Sequence, residues 1–292
     1  MTDAELQQQR KAKWRLDGRA LRTIEEARAF VEEVGMLLVY PMRPALPLPT
    51  WIGAFTGSDE RLPDARHAFN DPRAREAEEL MVRLLREKAA FESNVLGESN
   101  LLVSASLFPY YYALLKAQET KGTSKGEKLS PLANDVFKVI QQKGPVGKQQ
   151  LRALLKGDLS LAALDRALAE LWSRLRITRV GYSEHEGALW DTFARWAPQA
   201  VKEGAALSTA EGLSAMLSKY LDAAIAAEQS EIEDVLSHLA PRSRIKEAVN
   251  ALLAARELSF LRAGARTLIQ ITPAPAERHP ARTPAPPRAK RA

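Results

Sequence analysis

Three observations predict a mainly α-helical chain with small β-hairpins, an α+β fold. Apolar residues recur at helical spacing through most of the second half, two short strand-like pairs interrupt that pattern, and the order of helices and strands then repeats. The 292 residues are 46% hydrophobic, enough to bury a substantial core, and the length suits about two domains of ordinary size.

Residues 1–126 read as an irregular helical N-terminal domain. Thr23 to Val34 carries one helical pattern. Asp71 to Ala90 carries another, with Ala77, Leu80, Met81, Leu84 and Leu85 on one face. Between them the stretch Met42 to Pro49 (MRPALPLP) cannot continue a helix, because proline has no amide hydrogen to donate. It is expected to be an ordered loop or a strand edge. Gly, Ser, Thr and charge cluster from Glu119 to Lys128 without an apolar stripe, which marks a boundary.

A more legible unit occupies 127–200. Ser130 is placed to cap a helix with Pro131 at its first position, and Leu132, Val136, Val139 and Ile140 recur on one face until Gly144-Pro145 stops it. A short second helix turns Leu151, Leu154 and Leu155 inward. Ser160 then caps a third, with Leu161, Leu164, Leu168, Leu171 and Leu175 in one stripe. Ile177–Tyr182 and Ala188–Phe193 read as strands around the turn from Ser183 to Gly187. Three short helices closed by a hairpin is the order of a winged helix, a form of helix-turn-helix.

Residues 205–272 repeat that order. Ser208 with Glu211 forms a capping box before Leu213, Met216, Leu217, Tyr220 and Leu221, and Ser230 with Glu233 is expected to form a second before Val235, Leu236 and Leu239. Pro241 opens a third helix carrying Ile245, Ala248, Val249 and Leu252. Leu258–Arg262 and Arg266–Ile271 pair around Gly264. Leu171 falls on Leu252 and Ile177 on Leu258, an offset of 81 residues, so the sequence predicts tandem winged-helix units.

The chain has no cysteine, which removes disulfides, thiolate nucleophiles and Cys-type zinc sites and fits a reducing cytoplasm. The first 16 residues lack the apolar core of a signal peptide, and no window approaches the ~18 apolar residues of a membrane span, so a cytoplasmic protein with no membrane partner is expected. Of the net charge of +6, four charges lie after Thr272. Residues 273–292, rich in Pro, Ala and Arg, are expected to be a disordered basic tail that either holds a polyanion loosely or keeps the chain in solution.

The four histidines, His67, His185, His238 and His279, stand far apart and in no metal-binding spacing, and no phosphate-loop, GxGxxG or GxSxG element occurs. No metal and no cofactor are expected. A winged helix that binds DNA sets its third helix in the major groove. In the first unit that helix presents Ala162, Ala163, Asp165, Arg166 and Glu170, nearly neutral and poor in base-reading groups. In the second it presents Arg242, Arg244, Lys246 and Asn250, the candidate DNA contacts. Lys138, Lys143, Lys148, Arg152 and Lys156 form a candidate basic flank, to which Arg43 adds a cation from the proline-rich stretch. The run Phe108-Pro109-Tyr110-Tyr111-Tyr112 fits either core packing or stacking on an extruded base.

Through Val34–Pro41 (VGMLLVYP), Ala105–Pro109 (ASLFP) with the tyrosines after it, and Val136–Pro198, the chain resembles the AlkZ-like (YcaQ-type) winged-helix DNA glycosylases over about residues 20–272. The resemblance implies a concave surface of winged helices that holds duplex DNA and, in active members, cleavage of the N-glycosidic bond of damaged bases. It also implies a Gln-x-Gln or Gln-x-Asp pair that positions water at the sugar. The matching stretch is Leu38-Val39-Tyr40, so this is a divergent member without the pair. Leucine has no polar atom to orient water, and a tyrosine near its usual pKa of ~10 is a poor base at neutral pH. The resemblance further implies a C-terminal β domain, in whose place this sequence has the basic tail.

The first expectation is a DNA-binding relative of repair glycosylases that holds duplex or damaged DNA without base excision. Two alternatives stay open. One is an active alkylbase or crosslink glycosylase whose base comes from elsewhere, with Glu92, Glu98 or Asp64 as candidates. The other is a winged-helix protein-interaction module, which the nearly neutral body would suit.

Overall fold

The computed structural model describes residues 1–94, 96, 99–120, 129–155 and 159–273. Glu98, Lys156 and the basic tail after Pro273, each singled out above, lie outside the described residues. Two helices open the chain, α1 (Asp3–Lys13) and α2 (Ile24–Val34), each started by a Thr–Glu capping box. Gly35 ends α2 at φ 73°, a left-handed turn that a side chain would strain. That turn feeds β1 (Met36–Leu38), and β2 (Ala90–Ser93) and β3 (Leu101–Ser104) complete a sheet in the order β1-β3-β2, all antiparallel. The sequence did not lead us to expect this sheet. Its strands are three or four residues long and buried throughout, so they show no alternation, and a short apolar run reads equally well as helix.

Around the sheet lie α3 (Trp51–Thr56), a single 3₁₀ turn at Ala68–Asn70, α4 (Pro72–Arg86) and α5 (Phe108–Thr120). The stretch from Met42 to Pro49 is non-helical as expected, its end held by Leu38 N–H donating to the Pro49 carbonyl at 3.0 Å. Helix α4 stops four residues short of the expected Ala90, because Lys88 takes a positive φ and Ala90 joins the sheet.

The first repeat comprises α6 (Pro131–Lys143), α7 (Lys148–Leu154), α8 (Leu161–Ser173), β4 (Ile177–Ser183) and β5 (Gly187–Thr192). Two connecting helices, α9 (Phe193–Trp196) and α10 (Pro198–Ala206), lead to the second: α11 (Thr209–Ala224), α12 (Gln229–Leu236), α13 (Arg242–Ala254), β6 (Leu258–Ala263) and β7 (Arg266–Ile271). The 81-residue register holds at the level of packing. Val136 and Leu217, Ile140 and Leu221, Leu164 and Ile245, and Leu168 and Val249 are all buried. In both units one residue between the first two helices bridges the last strand, Val146 to Trp190 and Ala227 to Ile269.

Two local expectations change. The fifth strand ends at Thr192, since Phe193 opens α9. The second capping box is displaced: α12 begins after Glu228, whose N–H donates to Glu231 at 2.8 Å, so Ser230 lies inside the helix and Glu233 is buried beneath α13.

The cores explain the arrangement of the units. The first repeat has its own apolar cluster around Val136, Leu151, Leu164, Leu171 and Trp190. The second shares one with the N-terminal sheet, running from Leu38, Phe91 and Phe108 to Leu217, Leu236 and Ile245. Helix α10 lies against α5 closely enough that a Cβ on Gly204 would come within 2.6 Å of the Pro109 carbonyl oxygen. Arg10, 4% exposed, donates to the Ala224 carbonyl at 2.9 Å and to that of Ala226, clasping the end of α11 from the N-terminal helix.

His238 is partly exposed as a residue, but its two ring nitrogens are buried and its ring lies 5.9 Å from that of Tyr111 between centroids; this desolvation pushes its pKa down from 6.5 to about 4. The unfolded chain therefore takes up this proton first as pH falls. Its contribution to stability is complete above about pH 6.5 and is lost as pH approaches 4, by on the order of 3 kcal/mol. Urea denaturation from pH 7.5 to 4 checks this. The midpoint of the parent should fall more steeply than that of His238→Leu, and parallel curves would exclude the histidine as the cause.

Candidate functional site

A cleft of about 850 Å³ lies between α4 and the β4 strand of the first repeat. Its floor begins with Glu92, which points into the cleft from β2 and is 0% exposed. Arg179 reaches it from β4, donating through Nε to Oε2 at 2.6 Å and through Nη2 to Oε1 at 3.2 Å. Asn100, at the entry to β3, donates to Oε1 at 2.7 Å. The remaining arginine nitrogen, Nη1, donates to Glu78 of α4 at 2.5 Å. Burial works against the Arg179 charge, but the two carboxylates outweigh it and raise its pKa, so it stays protonated.

The Glu92 backbone is equally committed. Its carbonyl accepts from Trp172 Nε1 at 3.1 Å and Thr178 Oγ1 at 3.3 Å, both in the first repeat. Glu92 is thus no solvated loop carboxylate. It joins the N-terminal sheet to the first repeat through side chain and main chain at once.

Tyr40 forms part of the cleft wall, and Ser99 fixes its backbone by accepting from the Tyr40 N–H at 3.1 Å and donating to its carbonyl at 2.9 Å. Burial, reinforced by Glu78, pushes the Tyr40 phenol up to about 12. Such a hydroxyl donates a hydrogen bond at neutral pH and does not act as a base. Leu38, two residues earlier, is 1% exposed and packs in the shared core, away from the cleft. Asp64 sits in a turn, accepting from His67 Nδ1 at 2.7 Å and from the N–H groups of Arg66 and His67, and does not line the cleft.

The other sequence-derived residues are dispersed. Arg242, Arg244, Lys246 and Asn250 are exposed along α13, but the three cations face carboxylates. Arg242 pairs with Asp234 and lies 3.6 Å from Glu233, Lys246 lies 3.7 Å from Glu233, and Arg244 pairs with Glu247 at 2.8 Å. Lys148 pairs with Asp165 at 2.9 Å, while Arg152 and Arg43 are exposed. None of these seven lines the cleft. The aromatic run belongs to the core. Phe108 stacks on Phe193 and tilts against Phe91, and the buried Tyr111 hydroxyl meets Ser93 Oγ at 3.1 Å. Arg179 is not among the residues the sequence singles out; its one signal is a guanidinium inside the short strand ITRVGY, flanked by Thr178 and Val180.

Among the described residues no group of three or more His, Asp or Glu side chains is arranged to hold a metal ion, and no helix is long and apolar enough to cross a membrane. A family model described as AlkZ related matches residues 21–237. Among solved structures the chain is similar to the Streptomyces sahachiroi DNA glycosylase AlkZ, with a TM-score of 0.57 and 13% identity, over 93% of this chain and 70% of that one. At that identity the likeness is one of fold. No curated protein matches the chain.

A buried ion pair that loses one partner leaves an uncompensated charge. Arg179→Met should therefore destabilise the protein by about 3–5 kcal/mol, and pairing it with Glu92→Leu should recover much of that loss. Thermal or urea unfolding of the single and double variants decides the matter. Additive losses would mean that the two side chains do not act as a pair.

Proposed function

The chain belongs to the AlkZ-related family, and from that premise we propose that it binds duplex DNA, damaged duplex included, without excising the base. The observation that carries this reading is what occupies the cleft floor. Leu38 has withdrawn into the core, Tyr40 keeps its proton, and both Glu92 oxygens are engaged by Arg179 and Asn100. N-glycosidic hydrolysis needs a group that orients and deprotonates water within about 3 Å of the sugar, and these three side chains supply none in this arrangement. DNA contact falls to the exposed cations, Arg242, Arg244 and Lys246 with Asn250 on α13, and to Lys148, Arg152 and Arg43 elsewhere on the surface. Their carboxylate pairs are solvent-exposed for the most part and worth ~1 kcal/mol or less each, so a phosphate can replace the partner.

One observation favours a second reading, that of an active glycosylase. Glu92 is a fully buried carboxylate facing a deep cleft, the setting in which catalytic acids and bases are found. On that reading Glu92 activates the water once Arg179 shifts toward Glu78.

Binding to undamaged and alkylated duplexes over a salt series, with released base assayed in the same samples, separates the two. The proposal predicts binding that weakens with salt, a slope reduced by about 2 in Arg242→Ala/Arg244→Ala, and no released base. Base release that disappears in Glu92→Gln would establish the glycosylase reading instead.

A further inference from the structure

The rim of the cleft carries side chains that the ion-pair network leaves available. Arg75 and Arg83 project from α4, are exposed, and line the cleft. Among the described residues neither makes an ion pair or a side-chain hydrogen bond, in contrast to Arg242, Arg244, Lys246 and Lys148. Eight residues of helix set them about 12 Å apart along the axis, roughly three to four nucleotides of one stacked strand. Glu79 stands one turn from each, also exposed and also lining the cleft, so the row from Arg75 to Arg86 reads plus, minus, plus, plus.

Two large rings share the rim. Phe69, in the turn that precedes α4, is 75% exposed, and Tyr182, at the end of β4 across the cleft, is 46% exposed. Packing accounts for neither exposure. Tyr182 is nonetheless held in place, because Arg86 Nη2 donates to its carbonyl at 2.5 Å and the same side chain lies against Gly181. A Cβ on Gly181 would come within 3.3 Å of Arg86 Nε, so the arginine crosses the strand closely at this residue.

Resting on the DNA-binding reading, we infer that this rim is a track for one DNA strand with a nucleotide out of the stack. Arg75 and Arg83 take phosphates on that strand, and the Phe69 and Tyr182 rings take base faces. A fully paired duplex hides its base faces, so it engages only the cations. A bulged or distorted duplex, or a single strand, engages the rings as well. Glu79 opposes the strand and lowers affinity for every form.

The test uses the full chain and three fluorescent DNAs of one sequence: perfect duplex, duplex with one unpaired nucleotide, and single strand. Arg75→Gln/Arg83→Gln should reduce the salt slope by about 1.5–2 on all three. Phe69→Ala/Tyr182→Ala should weaken the bulged duplex and the single strand on the order of ten- to hundredfold while leaving the perfect duplex within about twofold. Glu79→Gln should tighten all three. All the substituted side chains are exposed, and far-ultraviolet circular dichroism checks that each variant is folded. If the parent binds DNA in a salt-dependent manner and none of these variants changes it, the track is wrong and the DNA-binding reading stands. If the parent binds none of the three at low salt, that reading falls and the track falls with it.

Discussion

The buried pairing of Glu92 with Arg179 is the constraint on which the geometry of the cleft rests. An isolated carboxylate or guanidinium at this depth would shift its protonation or draw in water, so each tolerates burial only because the other is there. Asn100 and Glu78 fill the remaining hydrogen-bonding capacity, and Trp172 and Thr178 fasten the backbone of the same residue. A sheet strand from the first part and a hairpin strand from the first repeat are thereby held in one relation. The two walls of the cleft, α4 and β4, inherit their separation from it.

The repeats place the same position under different demands. Arg179 in the first unit corresponds to Phe260 in the second by the 81-residue register. One is largely enclosed against the N-terminal sheet, while the other is 65% exposed on β6. The second unit is instead secured from its helical side, through the core it shares with the sheet and through the Arg10 clasp on α11. One architecture used twice has thus been anchored by an ion pair in one copy and by apolar packing in the other. The cleft lies beside the first unit, while the second presents the outer face of its own α13 to solvent.

The repeated units were legible because their helices are mostly long enough to show a stripe, and Ser130, Ser160 and Ser208 mark starts that the structure keeps. Ser230 misled because Glu228 and Glu231 form a competing box two residues earlier, and Glu233 was already committed to Arg242 and Lys246. The three-stranded sheet was hidden by its own burial, which erases the polar half of the strand pattern. The cleft was hidden by distance. In the sequence Glu92 is one carboxylate among several candidates, and Arg179, 87 residues away, carries no local sign of its partner. The basic residues easiest to see, on α13, turned out to face acids contributed by α12 and by α13 itself, a neutralisation that helical spacing alone does not reveal.

Amide hydrogen exchange with and without a duplex carrying one unpaired nucleotide tests the account most directly, because it reports the contact surface without altering a residue. Slowed exchange is expected across residues 68–86 and 179–184, the two walls of the cleft, together with the start of α13. Protection confined to α13, or none anywhere on the chain at concentrations where the DNA is bound, would contradict it.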